Sequence, residues 1–228
     1  MFYPKMQRAI FLNRPNRFIA HIEVDGREEI CHVKNTGRCR ELLTPGATIY
    51  VQHHNDPKRK TQYSLIAVEK GAVLINMDSQ APNKVVEEWL RTRQPWGPIT
   101  ALKPETTYGE SRFDFYLEMG QEKMFIEVKG VTLEEEGIIR FPDAPTARGL
   151  KHVHELISCR ETGYRAVLLF VVQMEGMRYF APNWDTHPAF GEALIAAQQA
   201  GVELLAYNCL VTMDTLTLHQ PLPINLEK

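Results

Sequence analysis

The sequence predicts a two-domain α+β chain: a small five-stranded β-barrel over residues 1–80, then an α/β domain built on a mixed sheet over residues 81–228. Three observations predict it. Short strand-like runs separated by turn pairs fill the first third of the chain, helix and strand patterns alternate from about residue 81, and Ser111 to Val131 reads as one long β-hairpin.

In the first domain, Phe18 to Val24, Glu28 to Val33, Thr48 to His53, Tyr63 to Glu69 and Ala72 to Asn76 read as five strands. They are punctuated by Asp25-Gly26, Thr36-Gly37, Pro45-Gly46 and Gly71, residue types that reverse the chain at low steric cost. A short helical turn is expected at Arg38 to Leu43. Five strands with one helical turn in a connection resemble an OB-type barrel, which presents a strand face and its loops to oligonucleotides.

In the second domain, Ala81-Pro82-Asn83 opens a helix whose apolar stripe is Val85, Val86, Trp89 and Leu90, beside Glu87 and Glu88. After the hairpin come a Pro-rich loop at Phe141 to Thr146, a helix from about Ala147 to Arg160 and an apolar strand from Ala166 to Gln173. A helix from Pro188 to Ala200 and a strand from Val202 to Leu205 complete the domain. This order resembles the core of the PD-(D/E)XK nucleases, in which helices flank a mixed sheet and the metal site lies at the hairpin.

The hairpin carries the chemistry. Phe113, Phe115, Leu117 and Met119 alternate with polar positions before Gly120-Gln121, and Met124, Ile126 and Val128 alternate after it. A two-residue loop with Gly first suits a II′ turn, and folding about it sets Glu118 against Lys123, Tyr116 against Phe125 and Asp114 against Glu127. The first two pairs attract and the third repels. A divalent cation between the two carboxylates removes that repulsion, and hard oxygen ligands suit Mg²⁺ or Mn²⁺. Lys129, two residues further along the same face, then stands beside metal-bound water or a scissile phosphate. An acid followed by acid-x-Lys on the next strand is what metal-assisted phosphodiester hydrolysis requires, because the metal acidifies water and the lysine offsets developing negative charge. The triplet alone carries little: Asp56-Pro57-Lys58 also fits it, in a polar segment, and a solvated charged face is the other reading of the hairpin acids. Strand context and the opposed Asp114 set Glu127-Val128-Lys129 apart. Glu88 reads either as a third ligand from the first helix or as an exposed helix charge.

At 228 residues and 44% hydrophobic, the chain can bury one large core or two small ones. No apolar run is long enough to span a bilayer, and charges interrupt the apolar residues between Met1 and Arg14, so no membrane partner is expected and a cytoplasmic location is. Cys31, Cys39, Cys159 and Cys209 are scattered without C-x-x-C spacing, which points to a reducing compartment. The net charge of −2 hides an asymmetry: residues 1–66 hold 11 Lys+Arg against 6 Asp+Glu, and the remainder 15 against 22. The basic end is the natural place for a polyanion. Its cations cluster as Arg8/Arg14/Arg17, Lys34/Arg38/Arg40 and Lys58/Arg59/Lys60, near the aromatics Phe11, Phe18 and Tyr63, a combination that suits phosphate contacts and base stacking.

The helix from Ala147 adds a second anion-binding candidate. Leu150, Val153 and Ile157 form its expected buried stripe, leaving Arg148, Lys151, His152 and Glu155 on another face. Cations in a first turn oppose the helix macrodipole, and a bound phosphate resolves the conflict. Pairing of Arg148 with Asp143 or Glu155 resolves it equally well.

Taken together, several segments closely resemble the sugar fermentation stimulation protein A family over nearly the whole chain. They are Asn16-Arg17-Phe18, Asn35-Thr36-Gly37-Arg38, Glu110-Ser111-Arg112-Phe113-Asp114-Phe115, Glu127 to Leu133, and the long, highly specific run Phe141-Pro142-Asp143-Ala144-Pro145-Thr146 through Arg148-Gly149 to Lys151-His152. The resemblance implies an OB-like first domain, a nuclease-like second domain, and a bacterial or archaeal protein that binds DNA without sequence preference and is linked to regulation of maltose metabolism. The chain departs from the pattern at Lys34, where proline commonly precedes Asn-Thr-Gly, and at Ala147, where glutamate often follows the threonine. Asp114, Glu127 and Lys129 stand at matching positions.

Two functions of different class follow. One is a sequence-nonspecific DNA binder, with RNA as the alternative polymer. The other is a Mg²⁺-dependent nuclease acting at Asp114, Glu127 and Lys129. A sugar-responsive regulator is a third reading, although nothing in the chain resembles a sugar pocket, and no heptad pattern sets an oligomeric state.

Overall fold

Strands β1 (Met6–Asn16), β2 (Ile19–Val24), β3 (Arg27–Val33), β4 (Thr48–His53), β5 (Tyr63–Lys70) and β6 (Val73–Asn76) of the computed structural model form one sheet in the order β3-β2-β1-β4-β5-β6. A parallel pairing of β3 with β5, from Cys31 opposite Tyr63 to Val33 opposite Leu65, closes β1 to β5 into a five-stranded barrel. Alternation buries Phe11, Ile22, Val33, Ile49, Val51 and Leu65, each worth roughly 1.5–3 kcal/mol of transfer free energy. The structure describes residues 1–35 and 37–228, so Thr36 of the expected Thr36-Gly37 turn lies outside the described residues.

One expectation needs correction. The first barrel strand, β1, precedes all five runs read from the sequence. Its run Ala9-Ile10-Phe11-Leu12 does not alternate, and register shifts after Phe11 and Asn13 break its pairing with β2, so the period-two signal is lost. β6 therefore lies beyond the closing pair, as the hairpin partner of β5. The short helical turn expected at Arg38 to Leu43 is present as a single turn, closed by the Leu43 N–H donating to the Cys39 carbonyl at 2.9 Å.

The first unit comprises Met1–Ala81 together with Gln173–Gly176 and Cys209–Thr217, so a single boundary near residue 80 does not describe it. The two later segments are tied in by hydrogen bonds. Gln173 Nε2 donates to Asn76 Oδ1 and to the carbonyls of Asn76 and Asp78, at 3.0 to 3.2 Å. Phe2 bridges Thr215, and the Tyr3 N–H donates to the Asp214 carbonyl at 2.7 Å.

The second unit contains α1 (Ala81–Arg93, from Pro82 onward), β7 (Ala101–Tyr108), β8 (Ser111–Met119), β9 (Glu122–Val131), β10 (Glu134–Glu135), β11 (Ile138–Phe141) and α2 (Ala147–Glu161). It continues through β12 (Arg165–Val172), β13 (Tyr179–Pro182), α3 (Pro188–Gln199), β14 (Glu203–Val211, as far as Asn208) and β15 (Leu216–Leu222, from Leu218 onward). Its main sheet runs β15-β14-β12-β9-β8-β7, with β9, β12 and β14 parallel and β7, β8 and β9 antiparallel to their neighbours, and β10-β11-β13 form a smaller sheet. β12 is buried along nearly its whole length, as expected of a central parallel strand. Strands β7, β10, β11, β13 and β15 were not expected. β7 and β15 are edge strands carrying Pro104 and Pro221, and the pairing of β7 with β8 skips Glu105, whose φ is +51°, so neither shows a clean alternation.

Helix α2 is capped by Thr146, whose hydroxyl accepts from the Gly149 N–H, and it packs on α3 and β12. A Cβ at Gly149 would lie 2.8 Å from the Thr146 side chain and 3.5 Å from Phe190, so glycine is what lets the cap and α3 approach. The buried face of α2 is Gly149, His152, Val153, Leu156 and Cys159, which places Leu150 and Ile157 half in solvent and His152 inside, contrary to expectation. Among the described residues, no helix is long and apolar enough to cross a membrane.

Candidate functional site

The β8–β9 hairpin turns at Gly120, whose φ of +62° favours glycine, and its ladder runs from Met119 opposite Glu122 to Phe115 opposite Ile126. The pairs Glu118–Lys123 and Tyr116–Phe125 form as expected. At the next step a side chain replaces the backbone: Asp114 Oδ2 accepts from the Val128 N–H at 2.7 Å. The other Asp114 oxygen accepts from Asn83 Nδ2, in the first turn of α1, at 2.6 Å.

Glu127 lies opposite Leu168 in the parallel β9–β12 ladder and is 3% exposed. Its Oε1 accepts from Lys129 Nζ at 2.5 Å and also meets His152 Nδ1 on the buried face of α2. Its Oε2 is buried and has no hydrogen-bond partner among the described residues. The two carboxylates titrate in opposite directions. Burial, then the charge of Glu127, pushes Asp114 above the usual carboxylate range against the opposing Val128, Asn83 and Lys129 contacts. Burial alone would raise Glu127 too, but the His152 hydrogen bond and the Lys129 ammonium outweigh it and hold Glu127 low.

Asp114, Glu127 and Lys129 are therefore brought together, and the structure adds His152 and Asn83. Glu88 is not brought to them. It is exposed and stands five residues beyond Asn83, about 140° around an α-helix. Glu87, nearly in line with Asn83, is paired with Arg91 at 2.7 Å. The helix does reach the carboxylates, but one turn earlier and with an amide. Sequence reasoning missed Asn83 because an asparagine after Pro82 reads as a helix-start residue; its position in the first turn of a helix preceding the hairpin was the available signal.

Among the described residues, no group of three His, Cys, Asp or Glu side chains is placed to hold a metal ion. A half-buried and a buried carboxylate whose charges repel, the buried one with an orphaned oxygen, do fit a cation that takes the remaining positions from water or phosphate, as Mg²⁺ commonly does.

On the first unit, the basic clusters of the sequence part company. Arg14 is spent on the main chain: its Nη1 donates to the carbonyls of Gly37 and Arg38 and its Nη2 to those of Arg17 and Asn35, at 2.6 to 2.9 Å. Lys34 is paired at 3.2 Å with Asp78, which is fully buried. Arg59 is half-buried and bonds Ser64 Oγ and the Thr61 carbonyl. These three are corrected from phosphate contacts to structural cations.

What remains is a groove of about 530 Å³ lined by Asn13, Asn16 and the exposed Arg17, Arg38 and Arg40. Beside it Phe18 is 51% exposed, on a turn fixed by Asn16 Oδ1, which accepts from the Phe18 and Ile19 N–H groups. Phe11 lies in the core, and Tyr63 packs against His53 with ring centroids 5.0 Å apart. Lys58 and Lys60 are exposed in the β4–β5 connection. On α2, Arg148 is exposed and makes no ion pair among the described residues, whereas Lys151 pairs with Glu110 at 3.0 Å and lies 3.8 Å from Glu155. His152, expected on that anion face, points to Glu127 instead.

Comparison with known proteins agrees with both halves of the chain. A family model described as the SfsA N-terminal OB domain matches residues 12–77, and one described as the sugar fermentation stimulation protein RE domain matches residues 80–215. A sugar fermentation stimulation protein homolog of Desulfitobacterium hafniense is 56% identical over 216 residues, covering 95% of this chain and 94% of the relative. A homolog of Clostridium beijerinckii is 53% identical over 218 residues, covering 96% of each. The solved structure of Pyrococcus furiosus SfsA in complex with Ca²⁺ superposes with a TM-score of 0.88 at 28% identity, covering 99% of this chain and 98% of that one. With an OB barrel followed by an α/β domain on a mixed sheet, and this agreement along nearly its full length, the chain belongs to the sugar fermentation stimulation protein family.

Proposed function

We propose that the second domain holds Mg²⁺ or Mn²⁺ between Asp114 and Glu127 and hydrolyses phosphodiester bonds there, and that the barrel binds nucleic acid, DNA first among the candidates, without reading its sequence. The observation that carries this reading is the orphaned, buried Oε2 of Glu127 beside a second carboxylate and a lysine. The Ca²⁺ named with the Pyrococcus furiosus relative supports it, since Ca²⁺ and Mg²⁺ share a preference for carboxylate oxygen.

When bound, the ion supplies positive charge that polarises a phosphate and acidifies water. The chain's residues do the rest. Lys129 is within reach of Glu127 and can exchange that contact for a phosphate oxygen, offsetting the charge that develops there. Val128 and Asn83 fix Asp114. Arg17, Arg38 and Arg40 neutralise backbone phosphates, and Phe18 offers a ring face to an unpaired base.

A second reading, nonspecific DNA binding in a regulatory role without cleavage, is favoured by one observation: three of the four carboxylate oxygen positions are already met by protein donors. Labelled single-stranded, duplex and branched DNA and RNA, incubated with Mg²⁺, Mn²⁺ or chelator, separate the two. Metal-dependent products that fall by at least roughly 10²-fold in both Asp114→Ala and Lys129→Ala are expected, the size of losing one charge-stabilising group. Binding with no cleavage of any substrate would leave the regulatory reading standing.

A further inference from the structure

His152 is 5% exposed, and its ring lies edge-on to Phe113 with centroids 6.1 Å apart. It sits on the turn of α2 that Gly149, Val153 and Leu156 bury, so the imidazole is held from behind and from the side. Its Nδ1 meets Glu127 Oε1, the oxygen that also takes Lys129. Two donors thus converge on one oxygen of a buried carboxylate while the other has none among the described residues. A carboxylate kept for stability alone gains most when its donors are shared between both oxygens, because each unpaired buried oxygen carries its own desolvation cost. Saturating one side instead fixes the rotation of the group and leaves Oε2 available as a single ligand atom.

The second donor also has a use in chemistry. If Lys129 turns to a phosphate, Glu127 is left with one of its two partners at the moment it must stay charged and in place. A histidine on a separate, well-packed helix keeps the remaining contact.

We propose that His152 is the positioning residue of the cation site: it holds Glu127 so that Oε2 faces the ion and frees Lys129 to serve the substrate. This rests on the reading of Asp114 and Glu127 as cation ligands. The role is not catalytic in the strict sense, since His152 acts through Glu127.

The test is Mn²⁺ affinity of the full chain, measured from the electron paramagnetic resonance signal of unbound Mn²⁺, for wild type, His152→Phe and His152→Asn, with Asp114→Ala as reference. His152→Phe keeps a ring against Phe113 but removes the donor, and His152→Asn supplies an amide N–H near the place of Nδ1. Loss of an outer-sphere partner weakens metal binding by about 10- to 100-fold, so that loss is expected for His152→Phe, with His152→Asn returning to within about threefold of wild type. Melting temperatures without metal show whether each variant is folded, and His152→Gln replaces any variant that is not. Wild-type affinity in His152→Phe, or equal losses in the Phe and amide variants, overturns the assignment and leaves the cation reading intact. A wild type that binds Mn²⁺ no better than Asp114→Ala removes the cation reading itself, and this inference with it.

Discussion

In the hairpin of the second domain, Asp114, Glu127 and Lys129 meet just beyond the last ladder pair, where the strands continue the expected register through a side-chain contact. In the barrel of the first, the three basic clusters of the sequence are dispersed. Arg14 and Lys34 turn into the protein, Arg17, Arg38 and Arg40 line a groove, and Lys58 and Lys60 stand on the β4–β5 connection. Strand pairing converts separation in sequence into separation in space by a fixed rule. Loops have no such rule, and a guanidinium that passes several unpaired carbonyls is captured by them. Arg14 illustrates the outcome. It lines the groove beside its neighbours, but its guanidinium is committed to main-chain carbonyls on both sides, so it builds the groove.

That contrast can be broken most sharply at Arg14. Arg14→Ala should cost the protein about 3 kcal/mol in urea denaturation, because several carbonyls are deprived of a charged donor together, whereas Arg38→Ala should stay within about 0.5 kcal/mol. Equal effects would mean that the two arginines are not divided between scaffold and surface.

The proposed binding face gives the next largest effect. Replacing Arg17, Arg38 and Arg40 together by alanine should flatten the dependence of log affinity for duplex DNA on log salt by up to about 2.7, at about 0.9 for each phosphate no longer neutralised. Lys34→Ala should leave that slope unchanged, because its ammonium is committed to Asp78. A Lys34 effect as large as that of the three arginines would overturn the assignment of the proposed DNA face to the groove.

The smallest effect sharpens the hairpin side. The folded pKa of Asp114 lies above its ordinary value, first through burial and then through Glu127, so its ionisation opposes folding. The wild type therefore gains stability from this group as pH falls through the raised value and loses it as pH rises. Asp114→Asn, assayed by thermal melting in chelator, should raise Tm at pH 7 by a few degrees, the shift that about 1 kcal/mol produces in a chain of this size. The difference should close in acid. A Tm unchanged or lowered at pH 7 would show that the carboxylate pair is not strained without a cation.

The reach of the sequence follows the same division. The hairpin, the central strand β12 and helices α1 to α3 were legible, because alternation and apolar runs each leave a local signature. Strand β1 was hidden by its bulges and by four consecutive apolar residues, and β7 and β15 by their exposed edges. In the site, the charge triad was readable from register. His152 stands out in the sequence but with the wrong neighbour, because periodicity alone puts Leu150 and Ile157 in the buried stripe, and only packing against α3 and β12 decides the rotation of the helix. Asn83 belongs to a helix two elements before the hairpin, and no local pattern reports that contact.

The segments Gln173–Gly176 and Cys209–Thr217 that complete the first unit give it an unusual place in biosynthesis. A barrel whose strands all lie before residue 77 would ordinarily be finished early as the chain leaves the ribosome. Here the Gln173 donor to Asn76 and the Thr215 partner of Phe2 are synthesised about a hundred and two hundred residues later. The first domain to emerge is thus the last to be fully bonded, and a nascent chain halted anywhere before residue 217 carries a barrel with buried polar groups still waiting for their partners.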